Sequence, residues 1–280
     1  MPSVENAREE IRAFHSSGTI SFHDEVVFAE VLTRLLKRPE PISGCSLPPV
    51  DKYIIRKIID SADNGYLNPE EVHTLLEAAG IDTVEEEIIY NKEGVEPRQM
   101  LDGLFAAAQR IGWPLVMKVI GPLRKSDVDG VAVNITDFDR LEHEYIRMRN
   151  IRDVKGVVLQ PAVSGMEIYV GAKREERFGH LITCGYGGIF IEYLKDISYC
   201  LGPISNIEAE EMIRHLRSYP LIRGVRGKEG VSEVLFLDVI RRISALCAVA
   251  PEIFEMDINP MIGTNKSLIA VDAGIRIEKE

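Results

Sequence analysis

GYGGIFIEYLKD (residues 185–196) and DINP (residues 257–260) are the stretches on which the reading of this chain turns. The first sets Gly185, Gly187 and Gly188 together and follows them with Glu192, Lys195 and Asp196. Lacking a Cβ, these glycines let backbone approach a ligand closely; a turn with a charged rim uses the same residues. In the second stretch, strand alternation puts Asp257 and Asn259 on one face, and a closing hairpin can bring Asp272 level with them. Two carboxylates and an amide so placed suit Mg2+, which takes a few protein oxygens and completes its shell with phosphates and water. A polar strand end is the other reading.

Working upstream, Lys118 stands in the apolar strand PLVMKVIG (residues 114–121). A buried lysine calls for an anion; an edge lysine whose head reaches out to water is the alternative. The following loop, GPLRKSDVDG (residues 121–130), carries Arg124 and Lys125. Its amides and cations can fold over phosphates, or the loop can simply join two strands. The sequence holds no G-x-x-x-x-G-K-[ST] phosphate loop, no G-x-G-x-x-G between strand and helix, no G-x-S-x-G and no H-E-x-x-H. A nucleotide site here therefore needs another architecture.

Around these stretches the pattern reads as short strands and helices. GVAVNI, GVVLQPAV and MEIYVGAK are strands, REERFG is the turn before HLITC, and a closing hairpin pairs IFEMDI with LIAVDA about Gly263. Helices are expected over 22–37, over 50–62 with Gly65 as a left-handed cap, from Asn68-Pro69 onward, from Thr136-Asp137 to near Asn150, from the Ser205/Glu208 capping box to near Arg217, and over 231–249. Residues 38–49 are a linker rich in Pro, Gly and Ser. Asp60 to Glu71 resembles a calcium loop, but its third position is Ala62, which cannot ligate, and helix caps account for the acids.

The chain has 280 residues, 33 Lys and Arg against 44 Asp and Glu, and a formal net charge of -11. Such a surface argues against nucleic acid and anionic membrane as partners; a phosphate site needs positive charge only locally. Cys45, Cys184, Cys200 and Cys247 form no C-x-x-C pair, which argues against structural zinc and fits a reducing cytoplasm. No apolar run approaches the ~20 residues of a membrane span, and residues 1–10 have no signal-peptide core.

Taken together, these stretches resemble the ATP-grasp domain of the ADP-forming acetyl-CoA (acyl-CoA) synthetases. The likeness runs from about Asn68 to Ile275, through LLEAAGI, IGWPLVMKVIGP, KSDVDGVAVNI, RFGHLITCGYGGIFIEYLKDISY, YPLIRGVRG and PEIFEMDINPMI. The resemblance implies an α+β ATP-grasp fold, two lobes around a nucleotide cleft, over residues 67–280. Residues 1–66 would form an N-terminal helical extension, the tail of an upstream CoA-ligase domain. The family interconverts acyl-CoA, ADP and phosphate with acid, CoA and ATP, through a phosphohistidine. ATP or ADP and Mg2+ are the implied cofactors. A CoA-binding domain or subunit carrying the phosphohistidine is the implied partner, because none of this chain's histidines falls at the phosphate-binding stretches.

By the same resemblance, Lys118 contacts the nucleotide phosphates with Lys125 beside it. Asn259 and Asp272 hold Mg2+, and Asp257 adjoins the metal and assists phosphoryl transfer. Gly185, Gly187 and Gly188 line the approach, and Glu192 and Arg226 are charged members. Two positions depart from the family. Arg124 stands where a histidine is usual, so it can clamp a phosphate but not carry one, and Asp129 replaces a glycine five residues on. An Arg124–Asp129 pair is expected to shield the site. These departures leave open a non-catalytic, nucleotide-binding regulatory domain of the acetyltransferase-fused type.

Overall fold

The structure, a computed structural model, describes residues 8–18, 20, 22, 24–36, 45–91, 94–95, 97–122, 125, 128–188, 191–227 and 229–279, with backbone alone for residues 8, 11, 97, 98 and 192. The chain divides into a unit over Met1–Gly44 and a larger one over Cys45–Glu280. The first contains α1 (Arg8–Ser16) and α2 (Glu25–Leu36), the latter inside the expected 22–37 helix. At the start of α2, Asp24 Oδ1 accepts the Val27 N–H at 2.8 Å.

The larger unit opens with α3 (Lys52–Ser61), whose first turn is capped by Asp51 Oδ1 accepting from Ile54 N. The expected left-handed cap at Gly65 is not used. The helix ends at Ala62, which is extended (φ -69°, ψ 145°), and Gly65 (φ 133°) begins the short strand β1 (Gly65–Tyr66). The chain can leave the helix at Ala62 because that residue's N–H still closes onto Ile58 O. In α4 (Pro69–Ala78), Asn68 and Glu71 form a reciprocal capping box, so the last acid of the calcium-like stretch serves a helix end.

There follow β2 (Glu87–Tyr90), α5 (Pro97–Ile111), β3 (Leu115–Ile120), β4 (Val131–Ile135), α6 (Phe138–Arg149) and β5 (Gly156–Pro161). Next come β6 (Met166–Glu175), β7 (Gly179–Tyr186), α7 (Ile191–Leu194), β8 (Ile197–Leu201), α8 (Asn206–Arg214), α9 (Tyr219–Ile222) and α10 (Glu233–Val249). Strands β9 (Ile253–Gly263), β10 (Leu268–Ala270) and β11 (Ala273–Ile277) close the chain. The helix expected to reach Arg217 stops at Arg214, with His215 as its cap.

Two antiparallel sheets define two α+β lobes. The larger runs β1-β11-β9-β6-β7-β8 with β10 paired to β9, and the smaller runs β2-β5-β3-β4. Alternation sorts each strand between a core and a common cleft. In β3, Leu115, Met117 and Val119 join Leu104, Leu141, Tyr145, Val157 and Leu159 in the small-lobe core, while Lys118 and Ile120 line the cleft. In β9, Met256 and Ile258 enter the large core beside Ile55, Leu75, Phe236 and Ile275, while Glu255, Asp257 and Asn259 line the cleft. Burying each such aliphatic side chain contributes about 1.5–3 kcal/mol, so the core-facing residues hold the strands that aim the polar ones.

Candidate functional site

A cleft of about 500 Å3 is lined by residues of both sheets and of α4. Lys118 is 6% exposed on β3, an interior strand flanked by β4 and β5, so it is not the edge lysine that the sequence left open. Its Nζ donates to Val271 O at 2.8 Å. Burial pushes the ammonium below the usual lysine range, while Asp272 draws it back up. A desolvated cation with one neutral acceptor is a strong anion site.

Lys125 lies in the β3–β4 loop, and its Nζ donates to Asp272 Oδ1 at 2.6 Å. Asp272 sits in the break between β10 and β11. Its carbonyl accepts the Asn259 N–H at 2.9 Å, which sets Asn259 beside it. The side chain of Asn259 in turn accepts the Gly188 N–H at 2.7 Å. Asp257, opposite Gly274 in the β9–β11 register, opens on the cleft with its side chain accessible, between the walls of the two sheets. Burial, then the charges of Asp272 and Glu255, push its carboxyl up to about 6.

The donor set can be weighed against a metal. Among the described residues, no three His, Cys, Asp or Glu side chains form a metal-binding group; the candidates are the carboxylates of Asp257 and Asp272 with the amide of Asn259. That chemistry fits a hard divalent cation. Burial first, and then the neighbouring charges of Asp272 and Glu255, disfavour the ionised Asp257 carboxylate, a cost that a bound cation would offset.

Three residues that the sequence did not single out share this wall. Gln160, 4% exposed on β5, donates from Nε2 to Glu86 Oε2 (3.0 Å) and Val271 O (3.2 Å). Burial raises the Glu86 carboxyl, against the pull of the Gln160 amide and the charges of His73, Lys118 and Lys125. His73, on α4, lies 3.3 Å from Thr83 Oγ1 and 3.9 Å from Glu86 through its two ring nitrogens. The alternation that sends Lys118 to the cleft also sends Val158 and Gln160 there, so Gln160 had a signal in the strand pattern. Glu86, within the run Glu85-Glu86-Glu87, reads in sequence as a surface acid.

The remaining predicted residues fall elsewhere. Gly185, Gly187 and Gly188 do not line the cleft. A Cβ on Gly185 would collide with the Asp196 carbonyl, and one on Gly187 with Ile168 backbone; Gly188 has φ 68° and lies against the Glu167 carboxylate. The glycines are thus required by the chain itself, and among the described residues Gly188 is tied to the site through Asn259. Asp196 caps the Arg217 and Ser218 N–H groups at 2.8 and 2.7 Å. Arg226 (φ 51°) is exposed beyond α9 and does not line the cleft. Arg124 and the Glu192 side chain, and with Arg124 the expected pair to Asp129, lie outside the described residues. Asp129 adopts φ 51°, the left-handed region open to glycine and tolerated by aspartate, and its carbonyl accepts from Arg147 Nη1 at 2.7 Å.

The model of an ATP-grasp domain family matches residues 58–277. The β subunit of ADP-forming acetate–CoA ligase I from Pyrococcus furiosus is 36% identical over 231 residues, covering 78% of this chain and 95% of that subunit. ADP-forming acetate–CoA ligase I of Archaeoglobus fulgidus is 34% identical over 277 residues, 92% of this chain but 38% of the ligase, so the chain spans well under half of that relative. Among solved structures, acetyl-coenzyme A synthetase 1 of Ca. Korarchaeum cryptofilum, in complex with coenzyme A and Mg-AMPPCP, superposes with a TM-score of 0.65 at 28% identity, covering 81% of this chain and 100% of that one. In that protein the phosphohistidine segment points towards the nucleotide binding site. The match over most of the chain, with two sheets facing one charged cleft, makes this chain a member of the ATP-grasp family that includes the β subunits of ADP-forming acetate–CoA ligases.

Proposed function

We propose that the cleft binds ADP or ATP with Mg2+, and that the chain is the ATP-side half of an NDP-forming acyl-CoA synthetase. It would exchange a phosphoryl group between the nucleotide and a phosphohistidine on a CoA-binding domain or subunit, in the reaction acyl-CoA + ADP + phosphate ⇌ acid + CoA + ATP. The observation that carries this reading is the convergence of Lys118, Lys125, Asp257, Asn259 and Asp272 from both sheets on one cleft. The likeness to a β subunit supports the partner, and the Mg-AMPPCP complex of a homologue supports the metal.

Phosphoryl transfer asks a protein for positioning and charge neutralisation rather than covalent chemistry. Buried Lys118 holds the phosphates at one depth, and Lys125 covers them from the β3–β4 loop. Asp257, Asn259 and Asp272 would hold Mg2+, which supplies charge neutralisation on the phosphate oxygens. The glycine turn fixes the Asn259 amide through the Gly188 N–H. Four unpaired cysteines support a reducing compartment, the cytoplasm. No helix among the described residues is long and apolar enough to cross a membrane.

The test combines the chain with the CoA-binding domain or subunit that accompanies it and measures ATP formed from acetyl-CoA, ADP and phosphate. Synthesis that requires Mg2+ is expected. A chain that binds no nucleotide by calorimetry would sink the reading. One that binds Mg·ADP yet yields no ATP would instead be the nucleotide-binding regulatory domain.

A further inference from the structure

The two sheets end in four edge strands, β1, β8, β2 and β4, and three of them are blunted. β1 is two residues long. β2 is four residues long and opens on Glu87, a charged residue paired with Arg110. β4 is bulged against β3 and holds Asn134 at φ 54°. Each device keeps a strand edge from recruiting another strand. β8 has none of them. Its sequence ISYCL carries no charge, proline or glycine, and its register against β7 runs from Ile197 to Leu201 without a shift.

The backbone of β8 is only half paired. The Gly202 N–H donates to His180 O at 2.8 Å, which fixes the phase of the β7–β8 ladder. In that phase Ser198 and Cys200 exchange bonds with β7, while Ile197, Tyr199 and Leu201 turn their N–H and C=O groups to the open side. Among the described residues, the one contact to these groups is a weak one, Cys200 Sγ to Leu201 O at 3.7 Å. The side chains of the same three residues lie on one face, 39%, 70% and 45% exposed. Unpaired strand backbone with an apolar face beside it is satisfied by another strand.

The pattern of β8 says which strand. Set antiparallel to itself about Tyr199, it places Ile197 opposite Leu201, Tyr199 opposite Tyr199 and Ser198 opposite Cys200. Apolar then meets apolar, and all three outward residues pair. A slip of two residues would set Ile197 against Pro203, which has no N–H, or Leu201 against Lys195. Because the other edges are blunted, such pairing closes after two copies instead of propagating.

We propose that β8 is a dimerisation strand, which joins the large sheets of two copies of this chain about a two-fold axis at Tyr199. Tyr199 stands three strands away from Asp257 along the cross-strand row Asp257–Gly171–Thr183–Tyr199, so the pairing leaves the cleft of each copy open.

Light scattering on the full chain at high micromolar concentration should give the mass of two chains. Tyr199→Glu sets two carboxylates face to face on the axis and should weaken the dimer at least about tenfold. The side chain it replaces is mostly exposed, so the variant should stay folded by circular dichroism. A crosslink reads the register. Tyr199→Cys, combined with Cys45→Ser and Cys200→Ser, should oxidise to a dimer linked through position 199. Directly opposed residues of such a pair lie about 5.5 Å apart at Cα, within disulfide reach. A monomeric wild type overturns the proposal and would leave the edge to a strand of another protein. A dimer that is indifferent to Tyr199→Glu, or that forms no such crosslink, overturns it too, as do assemblies larger than two chains. If Tyr199→Glu does not fold, the crosslink decides: a disulfide through position 199 upholds the pairing, and its absence refutes it.

Discussion

Lys125 and Asp272 meet across the two sheets at 2.6 Å, with side chains 24% and 30% exposed. A partly exposed pair of this kind stabilises by about 0–1 kcal/mol. Lys125→Met should therefore shift Tm by no more than about 4 °C. The same change should weaken Mg·ADP by about tenfold, the scale of one charge-assisted contact. Melting and calorimetry on one preparation separate the two effects. A large fall in Tm with unchanged affinity would make the lysine a strut.

Asp272→Ala should weaken Mg·ADP binding by at least about tenfold while the chain stays folded, because it removes an oxygen donor from the metal set. Asp272 also helps hold the Asp257 carboxyl up. In the variant, the Asp257 titration followed by NMR should move down from about 6. Unchanged Mg·ADP affinity in the folded variant excludes Asp272 from the metal set.

Asp257 also gives a pH signature. Its folded pKa of about 6 lies above the ordinary 3.8, so folding favours the protonated form. That contribution to stability is complete below about pH 4 and is lost as pH rises through about 6. Asp257→Asn should accordingly gain on the wild type in Tm at about pH 7.5 and not at about pH 4, by under about 1 kcal/mol because the side chain opens on the cleft. Metal binding to the ionised carboxylate should release a proton at about pH 5.5, seen as calorimetric heat that varies with buffer ionisation. Heat independent of the buffer would place Asp257 outside the coordination.

The glycine turn predicts graded costs. Gly185→Ala and Gly187→Ala drive a Cβ into backbone that cannot step aside, and each should destabilise by about 1–3 kcal/mol. Gly188→Ala meets the end of the Glu167 side chain, which can move, so its cost should stay near the ~1 kcal/mol of a left-handed residue. Denaturant melts of the three variants check the order. Equal costs would mean that the close approaches at Gly185 and Gly187 relax as easily as the Glu167 side chain does at Gly188.

What the sequence made legible was local. The caps at Asn68 and Ser205 involve residues three apart, and Lys118 stood out as one charge in an apolar strand. The metal strands were readable in part: alternation put Asp257 and Asn259 on the cleft face, but the expected pairing of IFEMDI with LIAVDA is not formed, since residues 261–263 pair with β10, residues 253–258 pair with β11, and Asp272 sits in the break between. Glu86 was not readable, because its place depends on a crossover segment held to Ala270, far along the chain. His73 reads as one more residue of a capped helix; only the docking of α4 turns it to the cleft. The glycines were read for a ligand, whereas their closest neighbours are the chain's own Asp196, Ile168 and Glu167.

The break between β10 and β11 leaves the Val271 carbonyl free of the sheet ladder. Into that gap reach Lys118 and Gln160 from the small sheet, with Lys125 on the next residue. Separating the lobes means breaking three polar contacts that converge on two consecutive residues. An arriving nucleotide that claims the lysines and the metal oxygens would therefore exchange contacts rather than add them. Each is worth about 1 kcal/mol net, so a resting cleft held this way would bind about a hundredfold more weakly than an open one with the same side chains. On the proposed function the counterpart is quick release: a bound nucleotide leaves as the protein re-forms its own bonds.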